Sequence, residues 1–376
     1  MVSTLRSFAH PGGVHNATPP RIVFGPGRSA GLGDEVERLG ARRAMIVTTP
    51  GRASMGDRFA AAISDRCVGL LPEAISQVPV ELVRRGVQKA AGRGADCLVA
   101  IGGGAATGLC KGIAYESGLP IIAIPTTYSG SEMTGFCGMT SEGVKRMHES
   151  LAMCPRTVIY DAELSVELPP STSASSAMNA LAHCIDAIYL PSLSPLLAMA
   201  AVEGARIVAN NLPELLASPR DIGLRNEMLY GAYLSGAALT GGFALQHAVA
   251  HMLGGSYGVE HGTAHAVVLP YVTAYLQQYA PQPLGRIADA VGTTDLAGYL
   301  WDLAGGAGLP VRLADVGFPA EDLDRAVHIA TTADAAPTDP DIHDANRAGN
   351  PAPVTDSAVR AVLQAATDGR RPGAKR

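Results

Sequence analysis

Short apolar runs alternate with amphipathic stretches along residues 21–161. The run "RIVFG" predicts a strand, and "SAGLGDEVERLG" after it a helix stopped at Gly40. "AMIVTT" predicts a second strand, residues 54–65 a helix, "CVGLL" a short strand and "VELVRRGVQKAAGRG" another helix. "DCLVAIGGG" then leads into the helical "AATGLCKGIAYESG", and the continuous apolar runs of "LPIIAIPTT" and "RTVIYD" read as buried strands. Strands buried on both faces and spaced by helices imply a parallel sheet covered by helices. From about residue 165 the chain is Ala/Leu-rich with helical period, broken by Gly and Pro, and shows no strand pattern. "LPPSTSAS" supplies the break. The expected organisation is an α/β domain over residues 1–163 and an all-helical domain over 164–376, with "DGRRPGAKR" as a frayed tail.

Composition changes this picture only by exclusion. The 376 residues are 47% hydrophobic and 17% charged, with a net charge of -5, which offers nothing to nucleic acid or an anionic membrane. No stretch reaches the roughly 18 apolar residues of a membrane span. "MVSTLRSFAHPGGVHN" has no apolar core of a signal peptide, so a cytoplasmic protein is expected. The six cysteines are scattered without a CxxC pair, which favours reduced thiols over disulfides or a thiolate metal site.

Three stretches carry candidate chemistry. In "AIGGGAAT", residues 100–107, three glycines follow a buried strand and precede a helix, so backbone N–H groups can approach a pyrophosphate at the helix N-terminus. The same order fits a glycine-rich turn with no ligand, and it is not the GxGxxG fingerprint. "PTTYSGSE" follows the next strand; Thr126, Thr127 and Ser131 there can reach a pyrophosphate or ribose, or serve ordinary turn chemistry. The third is a histidine cluster. "NALAH" and "HAVAHMLGGSYGVEH" space Asn179 and His183, and then His247 and His251, four apart on one helix face, with His261 following beside Glu260 and His265. Neutral imidazoles suit Zn²⁺ or Fe²⁺, whereas Asn179 brings a carbonyl oxygen without negative charge. A lone histidine on an Ala-rich helix is usually a core residue, but four at helical spacing favour a site.

These stretches, "GGGAATGLCK", "PTTYSGSEMT", "MNALAHCIDAIY" and "LQHAVAHMLGGSYGVEHGTAHAVVLP", in this order over nearly the whole chain, resemble the iron-containing (group III) alcohol dehydrogenases. Within them the chain is most similar to the maleylacetate reductases. The resemblance implies an α/β nucleotide-binding domain of the dehydroquinate synthase-like type, a helical domain, an active site in the cleft between them, and a homodimer. It implies NADH or NADPH as cofactor. Gly102, Gly103 and Gly104, with Thr107 in the next turn, match the pyrophosphate loop, with Ala105 where a serine is usual. Thr126, Thr127 and Ser131 match the second cofactor loop, and Lys145 a lysine near the nicotinamide ribose. Asn179, His183, His247 and His261 fall on the four metal-ligand positions, and His251 on a histidine of the substrate pocket. The first ligand is aspartate in metal-dependent members, so the asparagine implies that Fe or Zn can bind but is not required.

The implied reaction is hydride transfer to an alkene conjugated to a ketone, with negative charge developing on the ketone oxygen. His183, His247 and His261 are expected to hold that oxygen, and His251 to act as proton donor or clamp. Thr48 and Thr49 end the second strand where NADH-selective enzymes often carry an acidic residue, so both cofactors are expected to bind. One departure bears on the substrate. In "KRMHESLAMCPR", Glu149 and Ala152 stand where reductases of the dianion maleylacetate typically carry arginines. A less anionic substrate, or a sister alcohol or carbonyl dehydrogenase, is therefore the alternative, with a non-redox, lyase-like relative behind it.

Overall fold

The strands in chain order are β1 (Arg21–Phe24), β2 (Ala44–Val47), β3 (Cys67–Leu71), β4 (Cys97–Gly102), β5 (Ile121–Pro125), β6 (Phe136–Ser141), β7 (Val144–Glu149) and β8 (Thr157–Tyr160). The structure is a computed structural model that describes residues 20–141, 144–191, 193–331 and 349–373, with residues 144 and 145 in backbone only. Six strands form one parallel sheet in the order β1-β8-β5-β4-β2-β3. β4 and β5 are buried along their whole length, which is why they read as unbroken apolar runs. The helices α1 (Leu32–Arg38), α2 (Ala53–Ala62), α3 (Val80–Gly92) and α4 (Gly104–Ser117) connect the strands. The register Gly102↔Pro125 sets the two polar loops side by side at the same end of the sheet. The Thr126 amide donates to the Gly102 carbonyl there, at 3.0 Å.

After Tyr160 the described residues contain no strand. Helices α5 (Pro170–Ile188), α6 (Pro195–Ala217), α7 (Ile222–Leu239), α8 (Leu245–Tyr257) and α9 (His261–Leu276) follow. Then come α10 (Pro281–Val291), α11 (Leu296–Gly306), α12 (Leu323–Thr331) and α13 (Asp356–Asp368). The α5 helix is the axis of this part: every residue from Ser173 to Ile188 is buried, against α6, α7 and α9. Side-chain caps start several of these helices, Ser194 on α6, Asp221 on α7 and Glu260 on α9. No helix among the described residues is long and apolar enough to cross a membrane, and all six cysteines are free.

Two expectations need correction. No strand was expected between β5 and β8, yet β6 and β7 form an antiparallel hairpin outside the main sheet. Its alternation is short and diluted by Gly, Ser and charged residues, so the period is faint in sequence. Tertiary contacts hold it: Cys137 and Met139 enter the core beside α3 and α4, and Thr140 bridges to Pro79. The C-terminal stretch is not frayed as far as Arg371, whose guanidinium pairs with Asp295 and Asp302 at 2.8 and 2.7 Å. The opening segment read as lacking a signal peptide lies outside the described residues.

Candidate active site

One cleft of ≈ 540 Å³ lies between the strand-end loops and the helices α5, α8 and α9. Gly104, Thr127 and Ser131 line one wall, and Asn179, His183, His247, His251 and His261 the other. Gly102 and Gly103 shape the loop from behind. Gly102 has φ 145°, a backbone state that L side chains rarely adopt, and a Cβ on Gly103 would stand 2.8 Å from the Thr127 side chain. Thr107 and Thr126 are buried beneath the loops and do not line the cleft. Neither does Thr48, whose fully buried side chain packs over the Gly56 position of α2. The Lys145 backbone pairs with Thr140 on the hairpin; its side chain is outside the described set. Glu149 is exposed and Ala152 sits on a 3-10 turn, and neither lines the cleft, so their departure from arginine lies beside the site.

Asp186, which the sequence reading passed over, organises the histidine wall. It is fully buried one turn beyond His183 on α5, and its Oδ2 accepts from His247 Nδ1 at 2.7 Å. The same carboxylate accepts the backbone amides of Ala244 and His247 at the start of α8, and its Oδ1 the Tyr189 hydroxyl. Burial alone would raise its pKa, but the bond from His247 and these other donors hold it below the usual carboxylate value. An ionised Asp186 accepts the Nδ1–H of His247, which leaves Nε2 as a bare lone pair, buried and without a partner, on a ring that lines the cleft. Asn179 is oriented in the same way: its Nδ2 donates to the Ser129 carbonyl at 3.1 Å, and its buried Oδ1 has no partner. His183 stacks on His247 with ring centroids 5.2 Å apart. A Cβ on Gly130 would lie 3.0 Å from its Nδ1, so that loop glycine makes room for the ring.

Two bare lone pairs, one backed by a carboxylate, with His183 and His261 beside them, form a donor set that fits a divalent cation. A second grouping shares His261: nitrogens of His251, His261 and His265 lie within 4.8 Å of one another. His265, which the sequence marks only as a polar neighbour of His261, stands one turn after it on α9. The Gln246 amide nitrogen faces His265 Nδ1 at 3.2 Å and the His265 carbonyl at 3.3 Å. With both amide protons so engaged, Nδ1 accepts and Nε2 carries the proton, which makes His265 a donor towards its neighbours and a poor ligand. Burial, and then the neighbouring imidazoles, hold His183 and His265 well below the usual histidine pKa, so both are neutral at pH 7.

Two buried cations brace the loops. Lys111 Nζ donates to the carbonyls of Ser131 and Phe136 at 2.6 and 2.9 Å and to Thr134 Oγ1 at 2.8 Å. Arg225 donates to Tyr128 Oη, Ser173 Oγ and the Leu168 and Pro219 carbonyls, which ties α7 to the second loop. A lysine or arginine amid small and apolar residues was the available sequence signal, but it does not say what the charge meets. Lys111→Met is expected to lower unfolding free energy by about 2–4 kcal/mol, since the buried acceptors lose their donor. A denaturant midpoint unchanged from wild type would show that those carbonyls find other donors.

The chain matches two family models. Residues 19–162 match "Iron-containing alcohol dehydrogenase", and residues 173–367 match "Fe-containing alcohol dehydrogenase family, C-terminal". It is 42% identical to a maleylacetate reductase of Burkholderia cepacia over 94% of this chain and 97% of that one. The crystal structure of maleylacetate reductase from Rhizobium sp. strain MTP-10005 superposes with a TM-score of 0.87 at 40% identity, covering 96% of this chain and 99% of that one. Sulfoacetaldehyde reductase from Bifidobacterium kashiwanohense, crystallised in complex with NAD+, superposes with a TM-score of 0.83 at 25% identity, covering 95% and 99%.

Proposed function

This chain belongs to the iron-containing alcohol dehydrogenase family and is an oxidoreductase, and from that premise we propose that it reduces maleylacetate or a related unsaturated oxo-acid with NADH or NADPH. The observation that carries the reading is the asparagine at position 179 in a wall of histidines, facing a glycine loop and a hydroxyl-rich loop across one cleft. The cofactor supplies hydride when bound. The N–H groups of Gly104 and Ala105, first in α4, suit its pyrophosphate, and Thr127 and Ser131 its hydroxyls. Hydride addition at the alkene leaves charge on the ketone oxygen. In this reading His183 and His261 donate N–H bonds to it, and His251 delivers the proton or clamps a carboxylate. The homodimer implied by the resemblance, and the cytoplasmic location expected from the sequence, belong to the same proposal.

A divalent cation, when bound, would be held by Asn179, His183, His247 and His261, and would supply a Lewis acid at that oxygen. The amide contributes no charge, so binding is expected to be weak. Purified protein should carry substoichiometric metal, and chelation should leave most activity. Asn179→Asp should raise metal occupancy without raising reductase activity, because the new charge opposes a carboxylate substrate. One tightly held metal per chain, whose removal abolishes activity reversibly, would overturn this part of the reading.

A second reading is favoured by one observation. No lysine or arginine is among the side chains described as lining the cleft, and Val78, Phe136, Met147 and Phe243 are. Such a lining also suits a less charged carbonyl substrate. Following NADH and NADPH absorbance with maleylacetate, other unsaturated oxo-acids and simple aldehydes separates the two. Turnover of maleylacetate above all others supports the first reading, and turnover confined to aldehydes supports the second.

A further inference from the structure

The segment 76–78, between β3 and α3, lines the cleft yet belongs to no motif identified above. Gln77 and Val78 have φ of 67° and 46° and are the non-glycine residues with positive φ among those described. A β-branched residue stays in the left-handed region only when its surroundings hold it there. Thr140 on β6 does part of this, donating through N to the Val78 carbonyl at 3.1 Å and through Oγ1 to the Gln77 carbonyl at 2.8 Å. The Val78 side chain does the rest, for it fills the space beside Gly108, where a Cβ would lie 2.7 Å from Val78 Cγ2. So locked, Gln77 reaches across to α8. Its Nε2 is 3.6 Å from where a Cβ on Gly254 would be, about one turn beyond His251, and its Oε1 is buried without a hydrogen-bond partner. A strained backbone that holds an amide with an unsatisfied oxygen in the wall of a cleft is a feature that a ligand completes.

We propose that Gln77 determines substrate specificity by hydrogen-bonding the carboxylate end of the oxo-acid that lies on the α8 side of the cleft. The inference rests on the reductase reading above. Half a turn about the terminal torsion exchanges the amide oxygen and nitrogen, so N–H groups can meet a carboxylate without adding charge to the site. Gln77→Leu and Gln77→Glu are to be compared with wild type for kcat and KM with maleylacetate, and for NADH affinity by calorimetry. Gln77→Leu is expected to raise KM about tenfold and Gln77→Glu about thirtyfold, the latter by repulsion, with kcat within about threefold and NADH affinity unchanged. Wild-type KM in both variants, or NADH affinity falling in parallel with KM, overturns the assignment. If wild type turns over no unsaturated oxo-acid, the parent reading falls with it. If wild type is active and both variants match it, only this inference falls.

Discussion

Replacing His247 by alanine is expected to lower kcat/KM about a thousandfold while the protein still folds, because the ring that holds His183 in place in the cleft is lost. His247 sits within the histidine wall of the cleft, its ring against His183 and 4.6 Å from His265 by centroids. Asp186 fixes its proton and its direction, so one substitution removes both the ring and the carboxylate's grip on the site. The Asp186→Asn variant separates these effects. An amide keeps the size but not the charge, and part of the hydrogen bonding at the start of α8 remains. A loss of about a hundredfold in kcat/KM with a modest fall in Tm is expected, in line with other residues that orient a working histidine. Activity within tenfold of wild type in His247→Ala would remove the pair from the machinery. A collapse of Tm in Asp186→Asn would make its role that of a helix support.

Gly104→Val is expected to weaken NADH and NADPH binding at least about a hundredfold, with thermal stability close to wild type. Gly104 opens α4 and is exposed in the cleft; a Cβ there meets nothing nearer than the Ser129 side chain at 3.9 Å. A branched side chain thus costs the fold little and projects where a pyrophosphate must approach the first amides of the helix. Gly103, the more obvious target in sequence, is a poorer test. A side chain there collides with Thr127 and shifts the second loop, so loss of binding would not say which loop was at fault. Unchanged dinucleotide affinity in Gly104→Val, by calorimetry, would remove the glycine loop from the cofactor site.

What the chain determined by itself was the local order of elements and the residue types at the cleft. Buried parallel strands such as "CLVAIG" and "IIAIP" must be continuously apolar, and helices must repeat at 3.6 residues, so both periods are written in the sequence. The histidines were visible for the same reason, since i, i+4 spacing places them on one face. Tertiary structure decided what each polar residue meets. Asp186 lay in plain view inside "HCIDAIY", but its partner is 61 residues away on α8. Lys111 looked like an ordinary helix lysine until the fold buried it against the 131–136 loop. Thr48 is seen in sequence only as the end of a strand, and the packing of α2 over its side chain is set by the fold. The β6–β7 hairpin has only a faint periodic signature, and the Gln77–Val78 strain that Thr140 and the Gly108 gap sustain has none. Periodicity records which face of an element is buried. Pairing between elements distant in sequence depends on their register and approach, which only the packed chain sets.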